Sequence, residues 1–385
     1  ILSYMSFAIG YIAGPFGAIF FGHIGDRKGR KVTMYASLLM MGISTSIIGI
    51  LPPAASAGVG VVIVLQLMRL AQCFGRGGTW GGGILMAYEN VPENKRSFYA
   101  AIPQIGLPIG FGLSSILIAV PTLLLPEDIF FTWGWRIPFL AAIILTVIVI
   151  RQKGEMMETE DYKKAQAKLE AEEAEGKKHK VGFIPMVKGY WKTLLLGCGT
   201  RWVDGTFYNI FIVWILSYCI NWLGMPLIQT YIITIIACIF KIPFTLFGGW
   251  CAQKLGNTRT FVIGALASAV LSIPTLKVIE LSKGNLAITI IGIVLGWSIA
   301  YNLIWAVISS LWSSYFETEV RYSGISFVYH VPSFLVAGMV PTICTLLINY
   351  GKGDTIYVGI YSTVVALISA ACALALKARH DRGEK

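Results

Sequence analysis

The sequence predicts an all-α polytopic membrane protein, from its composition and from the length of its apolar segments. Of its 385 residues, 56% are hydrophobic and 13% are charged, whereas soluble domains carry about 25% charged residues. Lipid admits only helices or closed barrels, and these segments are too long for barrel strands. We therefore expect eleven spanning helices, near residues 1–21, 32–51, 60–82, 98–125, 133–150, 191–222, 228–250, 260–280, 286–312, 322–349 and 355–376.

A charged turn, GHIGDRKGRK at 22–31, joins the first two apolar segments. It carries five charges and three glycines, while the segments on either side contain no acidic or basic residue. The order of glycine, aspartate and arginine resembles the loop between the second and third helices of the major facilitator superfamily. That resemblance implies twelve helices in two pseudo-symmetric bundles, of which eleven would be present here.

The distribution of positive charge predicts the orientation. One set of alternate loops, together with the C-terminal tail, holds 23 of the 31 lysines and arginines, and the opposite set holds three. Because positive residues favour the cytoplasmic side, we expect a cytoplasmic C-terminus and a location in the cell (inner or plasma) membrane. Eleven spans then put Ile1 outside, so we expect that a first helix preceding Ile1 is missing from this chain.

A long polar segment divides the apolar spans into five and six. It includes EDYKKAQAKLEAEEAEGKKHK, which favours a charged surface helix. We expect an N-terminal bundle at 1–150, a cytoplasmic linker at 151–187 and a C-terminal bundle at 188–385. For the linker, a solvated tether is favoured over a regulatory role.

A faint internal repeat relates the two bundles. The turn at 22–31 aligns with GWCAQKLGNT at 249–258, so that Gln253 stands where the first copy has Asp26. Such repeats are the usual construction of secondary transporters. The loss of the aspartate predicts that charged contacts survive mainly in the first half.

Three further stretches narrow the resemblance. RLAQCFGRGGTWGG, ENVPENKRSFYAAIPQIGLPIG and WGWRIPF look like the metabolite:proton symporter family, whose members carry dicarboxylates, tricarboxylates, shikimate, proline and betaines. This chain departs from the family pattern at Thr79, where a glutamate is usual, and at Arg76, where a small apolar residue is usual. Both departures make this helix more positive than the family pattern implies.

Four charged residues at the expected cytoplasmic ends of helices are candidates for a gate: Asp26, Arg30, Glu89 and Arg96. In the superfamily such residues form a charge network that holds the inward side shut. Exposed ion pairs contribute only about 0–1 kcal/mol each, so we expect such a gate to break and reform easily. The alternative is that these charges only reflect positive-inside topology.

Basic residues within apolar spans predict an anionic substrate. Arg69 and Arg76 lie seven residues apart, on one helical face. A charge near the bilayer centre costs about 2.5–3.5 kcal/mol, and arginine can bind a carboxylate through two parallel hydrogen bonds. The predicted substrate-binding residues are Arg69, Arg76, Gln104, Arg201, Lys241 and Tyr301.

Two residues are candidates for proton coupling. Asp204 lies inside the sixth span, one turn from Arg201, and could be a proton carrier or one half of a structural ion pair. His330 could titrate near neutral pH, although a buried, hydrogen-bonded histidine also fits its position.

These observations predict a proton-coupled symporter for a small organic anion, such as a dicarboxylate, a tricarboxylate or a shikimate-like acid. We expect a monomer in the lipid bilayer that works by alternating access. The alternatives are a carrier of a zwitterionic osmolyte, such as proline or betaine, and an uncoupled facilitator. A membrane scaffold would not need arginines on one buried face.

Several other classes of function are disfavoured. The net charge of +11 is concentrated in alternate loops, which argues against nucleic acid as a partner. The seven cysteines lie in or beside apolar segments without metal-ligand spacing. Because phosphate-binding loops and nucleophile motifs are also missing from the sequence, we expect no enzymatic activity, no metal and no cofactor.

Overall fold

The computed structural model describes residues 2–53, 57–152, 158–174 and 183–384, and these residues form helices without a strand. The first half comprises α1 (Leu2–Lys28), α2 (Arg30–Ile50), α3 (Val59–Glu89), α4 (Arg96–Ala101), α5 (Gly106–Leu124), α6 (Glu127–Thr132) and α7 (Ile137–Gln152). Helix α8 (Glu160–Ala174) lies in the linker. The second half comprises α9 (Phe183–Asn209), α10 (Ile215–Asn221), α11 (Leu227–Leu255), α12 (Asn257–Leu281), α13 (Leu286–Ile293), α14 (Asn302–Ser313), α15 (Arg321–His330), α16 (Val340–Tyr350) and α17 (Ile356–Asp381).

Short irregular helices connect several of these elements. One-turn 3₁₀ helices at Glu93–Lys95, Pro103–Ile105 and Gly134–Arg136 lead into α4, α5 and α7. In the second half, π-helical segments at Ile210–Trp214, Val294–Ala300 and Phe334–Gly338 interrupt three long helices.

The lengths of the helical segments match those required of membrane spans. Within the described residues, ten segments are long and apolar enough to cross a membrane, from 19 residues at Gly134–Gln152 to 36 at Met186–Asn221. Helix α1 precedes them with 27 residues. A 20-residue helix is about 30 Å long, which equals the hydrocarbon thickness of a bilayer. Together with α1, these segments correspond to the eleven predicted spans.

The internal repeat has a counterpart in the backbone. Gly29 and Gly256, which the repeat aligns, have φ/ψ values of 104°/158° and 89°/152°. Each glycine directly precedes a helix, α2 or α12, and a positive φ of this size favours glycine. The two halves therefore make the same turn at equivalent positions.

Glycines bring α1 and α3 into close contact. A Cβ atom on Gly17 would overlap the backbone oxygen of Phe74, and one on Gly77 would overlap the backbone of Ala18. Small residues at such positions let two helix backbones approach each other. This packing sets Tyr11 of α1 beside Arg76 of α3, whose guanidinium carbon lies 4.7 Å from the centre of the tyrosine ring.

Arg136, in the one-turn helix that leads into α7, connects that helix to α2. Its guanidinium donates to the backbone oxygens of Gly49 at 2.8 Å and Leu51 at 2.5 Å. These carbonyls lie at the end of α2, where no further helical turn provides them with a donor. Arg136 thus has a structural role in the packing of the first half.

Candidate functional site

A cavity of about 120 Å³ lies between the two halves. Helices α1, α3 and α5 contribute to its wall from the first half, and α9, α14 and α15 contribute from the second. The residues that line it are Tyr11, Arg76, Leu107, Arg201, Asp204, Tyr208, Asn209, Trp305, Tyr329, His330, Ser333 and Ala337. Four of the predicted site residues are among them: Arg76, Arg201, Asp204 and His330.

Asp204 is the centre of a buried polar cluster on this wall. It is 1% exposed, and its carboxylate accepts hydrogen bonds from the Arg201 guanidinium and the Tyr301 hydroxyl. The spacing of three residues on α9 brings Arg201 to the same helix face as Asp204. The structure therefore joins three predicted residues, and the charge of Arg201 is balanced by Asp204.

The Arg201 guanidinium has a second partner in Tyr329. Its Nε atom donates to the Tyr329 backbone oxygen at 3.3 Å, and its guanidinium carbon lies 4.2 Å from the ring centre. A guanidinium over an aromatic face is attracted by the negative charge of that face. Arg201 is thus held by an acid, a carbonyl and a ring of the protein itself.

Arg76 is the second cation on the cavity wall, and its contacts are weaker. Its guanidinium lies over the Tyr11 ring, and Nη2 is 3.9 Å from the Cys73 sulfur. Among the described residues no acid forms an ion pair with Arg76, and its buried Nε atom has no hydrogen-bond partner. No described residue around the cavity therefore balances the positive charge of Arg76.

Lys241 does not reach the cavity, contrary to the predicted role as a substrate cation. It is fully buried, with its Nζ atom 4.4 Å from the centre of the Tyr301 ring and 4.5 Å from that of Trp297. The Trp297 backbone oxygen is 3.5 Å away. Aromatic faces can surround a desolvated ammonium group, and here Tyr301 contacts Lys241 through its ring and donates to Asp204 through its hydroxyl.

Gln104 links the two halves behind the cavity wall. Its side-chain nitrogen donates to the Trp305 backbone oxygen at 3.2 Å, and the Trp305 indole donates to the Gln104 backbone oxygen at 3.1 Å. Trp305 lines the cavity, whereas the buried Gln104 side chain does not. Gln104 therefore positions a residue of the wall.

The structure does not bring Arg69 to the cavity. Its side chain is exposed. Arg69 precedes Arg76 by seven residues, which places it about 10 Å away along α3. Thr79 also lies off the wall, and its hydroxyl donates to Ser37 at 3.1 Å between α2 and α3. A shared helical face was therefore not sufficient to predict a shared site.

A second charged cluster, the latch, consists of Asp26, Arg30, Glu89 and Arg321. Within the latch, the Glu89 carboxylate lies 3.3 Å from Arg30 Nε and 3.0 Å from Arg321 Nη1. Arg30 also donates to the Thr318 backbone oxygen at 2.8 Å. These contacts join α2 and α3 of the first half to the second half.

The prediction that the gate pairs are exposed is wrong. The side chains of Arg30 and Glu89 have no solvent exposure. Removing one partner of a buried pair typically costs about 3–5 kcal/mol, because the other charge remains buried and unpaired. Removing one residue of the latch should therefore destabilise its closed state more than removing one partner of a surface ion pair would.

The contact made by Asp26 occurs twice, once in each half. Its carboxylate accepts hydrogen bonds from the backbone nitrogens of Tyr322 at 3.2 Å and Ser323 at 3.1 Å. Gln253, which the repeat aligns with Asp26, accepts one from the backbone nitrogen of Phe98 at 3.3 Å. The repeat thus preserves the contact between the halves while replacing its charged acceptor by a neutral amide.

Comparison with known proteins is consistent with this two-half architecture. Residues 2–341 match the model of the Major Facilitator Superfamily. The chain belongs to this superfamily. Over 386 residues it is 33% identical to the inner membrane metabolite transport protein YhjE of Escherichia coli (strain K12), with 98% of this chain and 85% of YhjE covered.

Two further relatives match this chain over a similar share of its length. The chain is 30% identical to the shikimate transporter of Escherichia coli (strain K12), with 97% of this chain and 84% of that protein covered. It is 27% identical to the proline/betaine transporter of Salmonella typhimurium, with 98% and 75% covered. The predicted family is confirmed, and this multi-pass membrane protein is a metabolite transporter rather than an enzyme.

A solved structure confirms the superfamily fold. The proton:xylose symporter XylE, bound to 6-bromo-6-deoxy-D-glucose, superposes with a TM-score of 0.74 at 16% identity. The match covers 97% of this chain and 85% of XylE. At this level of identity, the likeness establishes the fold alone.

In this superfamily member, part of the linker contacts the latch. The Glu158 carboxylate accepts from the backbone nitrogens of Arg30 at 3.0 Å and Lys31 at 3.2 Å, at the start of α2. The Thr159 hydroxyl donates to Glu89 at 2.6 Å. An anion at a helix N-terminus is stabilised by the free N–H groups there. Glu158 and Thr159 therefore pack against the latch and are not part of a solvated tether, which is what the sequence favoured for the linker.

Arg96, the fourth predicted gate residue, pairs with the linker rather than with Glu89. Its guanidinium donates to Asp161 at 2.6 Å, and Asp161 also lies 3.7 Å from Arg321 of the second half. These contacts were not predicted from the sequence, because the linker composition is typical of a solvated helix. Residues 153–157 and 175–182 of the predicted linker lie outside the described residues.

Most of the aromatic residues on the cavity wall were likewise not predicted from the sequence. Tyr11, Tyr329 and Trp305 contact the charged residues or line the cavity, but aromatic residues in apolar helices usually serve packing. Three π-helical segments, which are frequent at functional sites, lie next to two wall residues, Asn209 and Ser333, and to Tyr301, which donates to Asp204. The sequence contained no signal for these segments.

Proposed function

We propose that this protein is a monomeric, proton-coupled symporter of a small organic anion, and that Arg76 binds the carboxylate of that anion. The observation that carries the proposal is the charge of the cavity. Arg201 is paired with Asp204, whereas Arg76 has no acidic partner among the described residues. A carboxylate would balance Arg76 and accept two of its N–H groups, and the related shikimate transporter supports this substrate class.

A zwitterionic substrate is the second candidate. Rings of Tyr11, Tyr208, Trp305 and Tyr329 line the cavity, and aromatic faces can bind a quaternary ammonium group. The related proline/betaine transporter also favours it. A zwitterion would leave the net positive charge of the cavity unchanged, which is why we favour the anion.

The latch supports alternating access in this proposal. Its closed state joins the halves at one end of the cavity: Glu89 pairs with Arg321, Arg30 donates to the Thr318 backbone oxygen, and Asp26 accepts from the backbone nitrogens of Tyr322 and Ser323. Opening that end requires these contacts between the halves to separate. We assign Glu158, Thr159 and Asp161 of the linker to the same gate.

Asp204→Asn tests proton coupling and the substrate class together. Purified protein in proteoliposomes should accumulate labelled carboxylates from a panel when an inward proton gradient is imposed. If Asp204 carries the proton, the Asn variant loses uphill accumulation, and its internal-to-external substrate ratio falls to about 1, while counter-exchange of substrate continues.

The exposed Asp128→Asn change on α6 is the matched control and should accumulate substrate normally. Full accumulation by Asp204→Asn would move the proton site elsewhere. Uptake of proline or betaine without any carboxylate would replace the anion by the second candidate.

Membrane orientation has its own test. In a cysteine-free background, Lys168→Cys in the linker and Lys352→Cys after α16 should react with an impermeant maleimide from opposite sides. Both positions are exposed, so reagent access depends on the membrane alone. We expect Lys168→Cys to react from the cytoplasm, and labelling of both from one side would contradict the proposed topology.

A further inference from the structure

His330 has an unused hydrogen-bonding atom at the cavity. The residue is 1% exposed and lines the cavity. Among the described residues, its buried Nε2 atom has no hydrogen-bond partner. A buried polar atom without a partner is unfavourable and uncommon in native structures. The atom is therefore a candidate for contact with a bound molecule.

The imidazole ring is fixed by its surroundings. A Cβ atom on Gly14 of α1 would lie 3.3 Å from Nδ1, so this side of the ring packs closely against the first half. The Tyr329 ring lies edge-to-face with it, at 4.8 Å between ring centres. Nδ1 lies against Gly14, whereas Nε2 has no hydrogen-bond partner among the described residues, so Nε2 is the nitrogen left for a ligand.

The cavity therefore holds two unpartnered polar nitrogens, one from each half: Arg76 Nε and His330 Nε2. The arginine can only donate a hydrogen bond, and its charge selects an anion. A neutral imidazole nitrogen donates or accepts according to its tautomer, so a hydroxyl, which also does both, suits it. The rings of Trp305 and Tyr329 on the same wall suit an apolar carbon skeleton between these groups.

We propose that His330 determines specificity by hydrogen-bonding a hydroxyl group of the transported acid, so that the substrate class is hydroxycarboxylates. This inference rests on the proposed function, because it assigns the substrate carboxylate to Arg76. It reassigns His330 from proton coupling to substrate recognition. A site with a buried hydrogen-bonding atom discriminates strongly against an analogue that leaves the atom unpaired.

The test compares acids that differ by one hydroxyl. The probes are malate with succinate, and 3-hydroxycyclohexanecarboxylate with cyclohexanecarboxylate, each measured by uptake into proteoliposomes. Wild type should prefer the hydroxylated member of at least one pair by about tenfold or more in kcat/KM. In His330→Phe that ratio should fall to near 1, whereas His330→Gln, whose amide nitrogen can replace Nε2, should retain part of the preference.

The outcomes separate this inference from the proposed function. An equal preference in wild type and His330→Phe, or no preference in wild type, overturns the role of His330 while leaving carboxylate transport intact. Failure of wild type to take up any of the four acids overturns both. If His330→Phe does not elute as a folded monomer, the ratio for His330→Gln against wild type decides: a preference reduced below that of wild type supports the inference, and a preference equal to that of wild type overturns it.

Discussion

Arg76→Gln should raise the half-saturation concentration for the transported carboxylate about 30-fold or more. Truncating one partner of a buried, hydrogen-bonded charge pair costs about 2–5 kcal/mol, and each 1.4 kcal/mol is a factor of ten. Arg76 is the cation of the cavity whose charge no acid in the described residues balances. Uptake kinetics in proteoliposomes would measure the change directly.

Arg69→Gln is the matched control for this prediction. It removes the same charge from the same helix, two turns away, at an exposed position outside the cavity wall. We expect its half-saturation concentration to stay within about threefold of wild type, as for most surface substitutions. If Arg69→Gln had the larger effect, the anion site would lie further along α3 than the cavity.

Glu89→Gln should open the latch in most molecules. The change leaves Arg30 and Arg321 without the carboxylate between them. A cost of about 3–5 kcal/mol would shift the ratio of latch-closed to latch-open molecules roughly a hundredfold or more. Ser326, which is fully buried on α15 between the latch and the cavity, provides the reporter: in a cysteine-free background, Ser326→Cys should react with maleimide much faster when Glu89→Gln is added.

Glu160→Gln controls for the loss of an acid near the latch. Glu160 pairs with Lys163 at 2.8 Å in an exposed part of the linker. The hydrogen bond from Lys163 lowers the pKa of the Glu160 carboxyl, so the substitution also removes a negative charge at neutral pH. We expect an unchanged reaction rate at Ser326→Cys in this control, and equal rates for both substitutions would remove the latch from the gating cycle.

Local sequence determined the spans and the tight contacts along single helices. Apolar runs of bilayer length predicted the helices because lipid leaves the backbone few ways to satisfy its hydrogen bonds. The ion pair of Arg201 with Asp204 also followed from their spacing on α9. Gly29 marked a turn because few other residues adopt its backbone conformation.

The tertiary structure decided which charged residues share a site. Arg69 and Arg76 share one helical face, but they lie about 10 Å apart along α3. Only Arg76 lies at the level of the cavity between the two halves. Lys241, like Arg76, is a cation within an apolar span, yet it packs against the rings of Trp297 and Tyr301 and does not line the cavity. Side-chain environment depends on neighbouring helices, which spacing along one helix does not specify.

The latch shows the same division between sequence and structure. The sequence supplied Asp26, Arg30 and Glu89 at the ends of helices, and from their charge alone they were expected to be exposed. Burial of Arg30 with Glu89, and the arrival of Thr159 from the linker, depend on how the two halves and the linker come together. The sequence by itself thus determined the spans and the charges they carry, whereas only packing between distant segments decided which charges lost their water and gained partners.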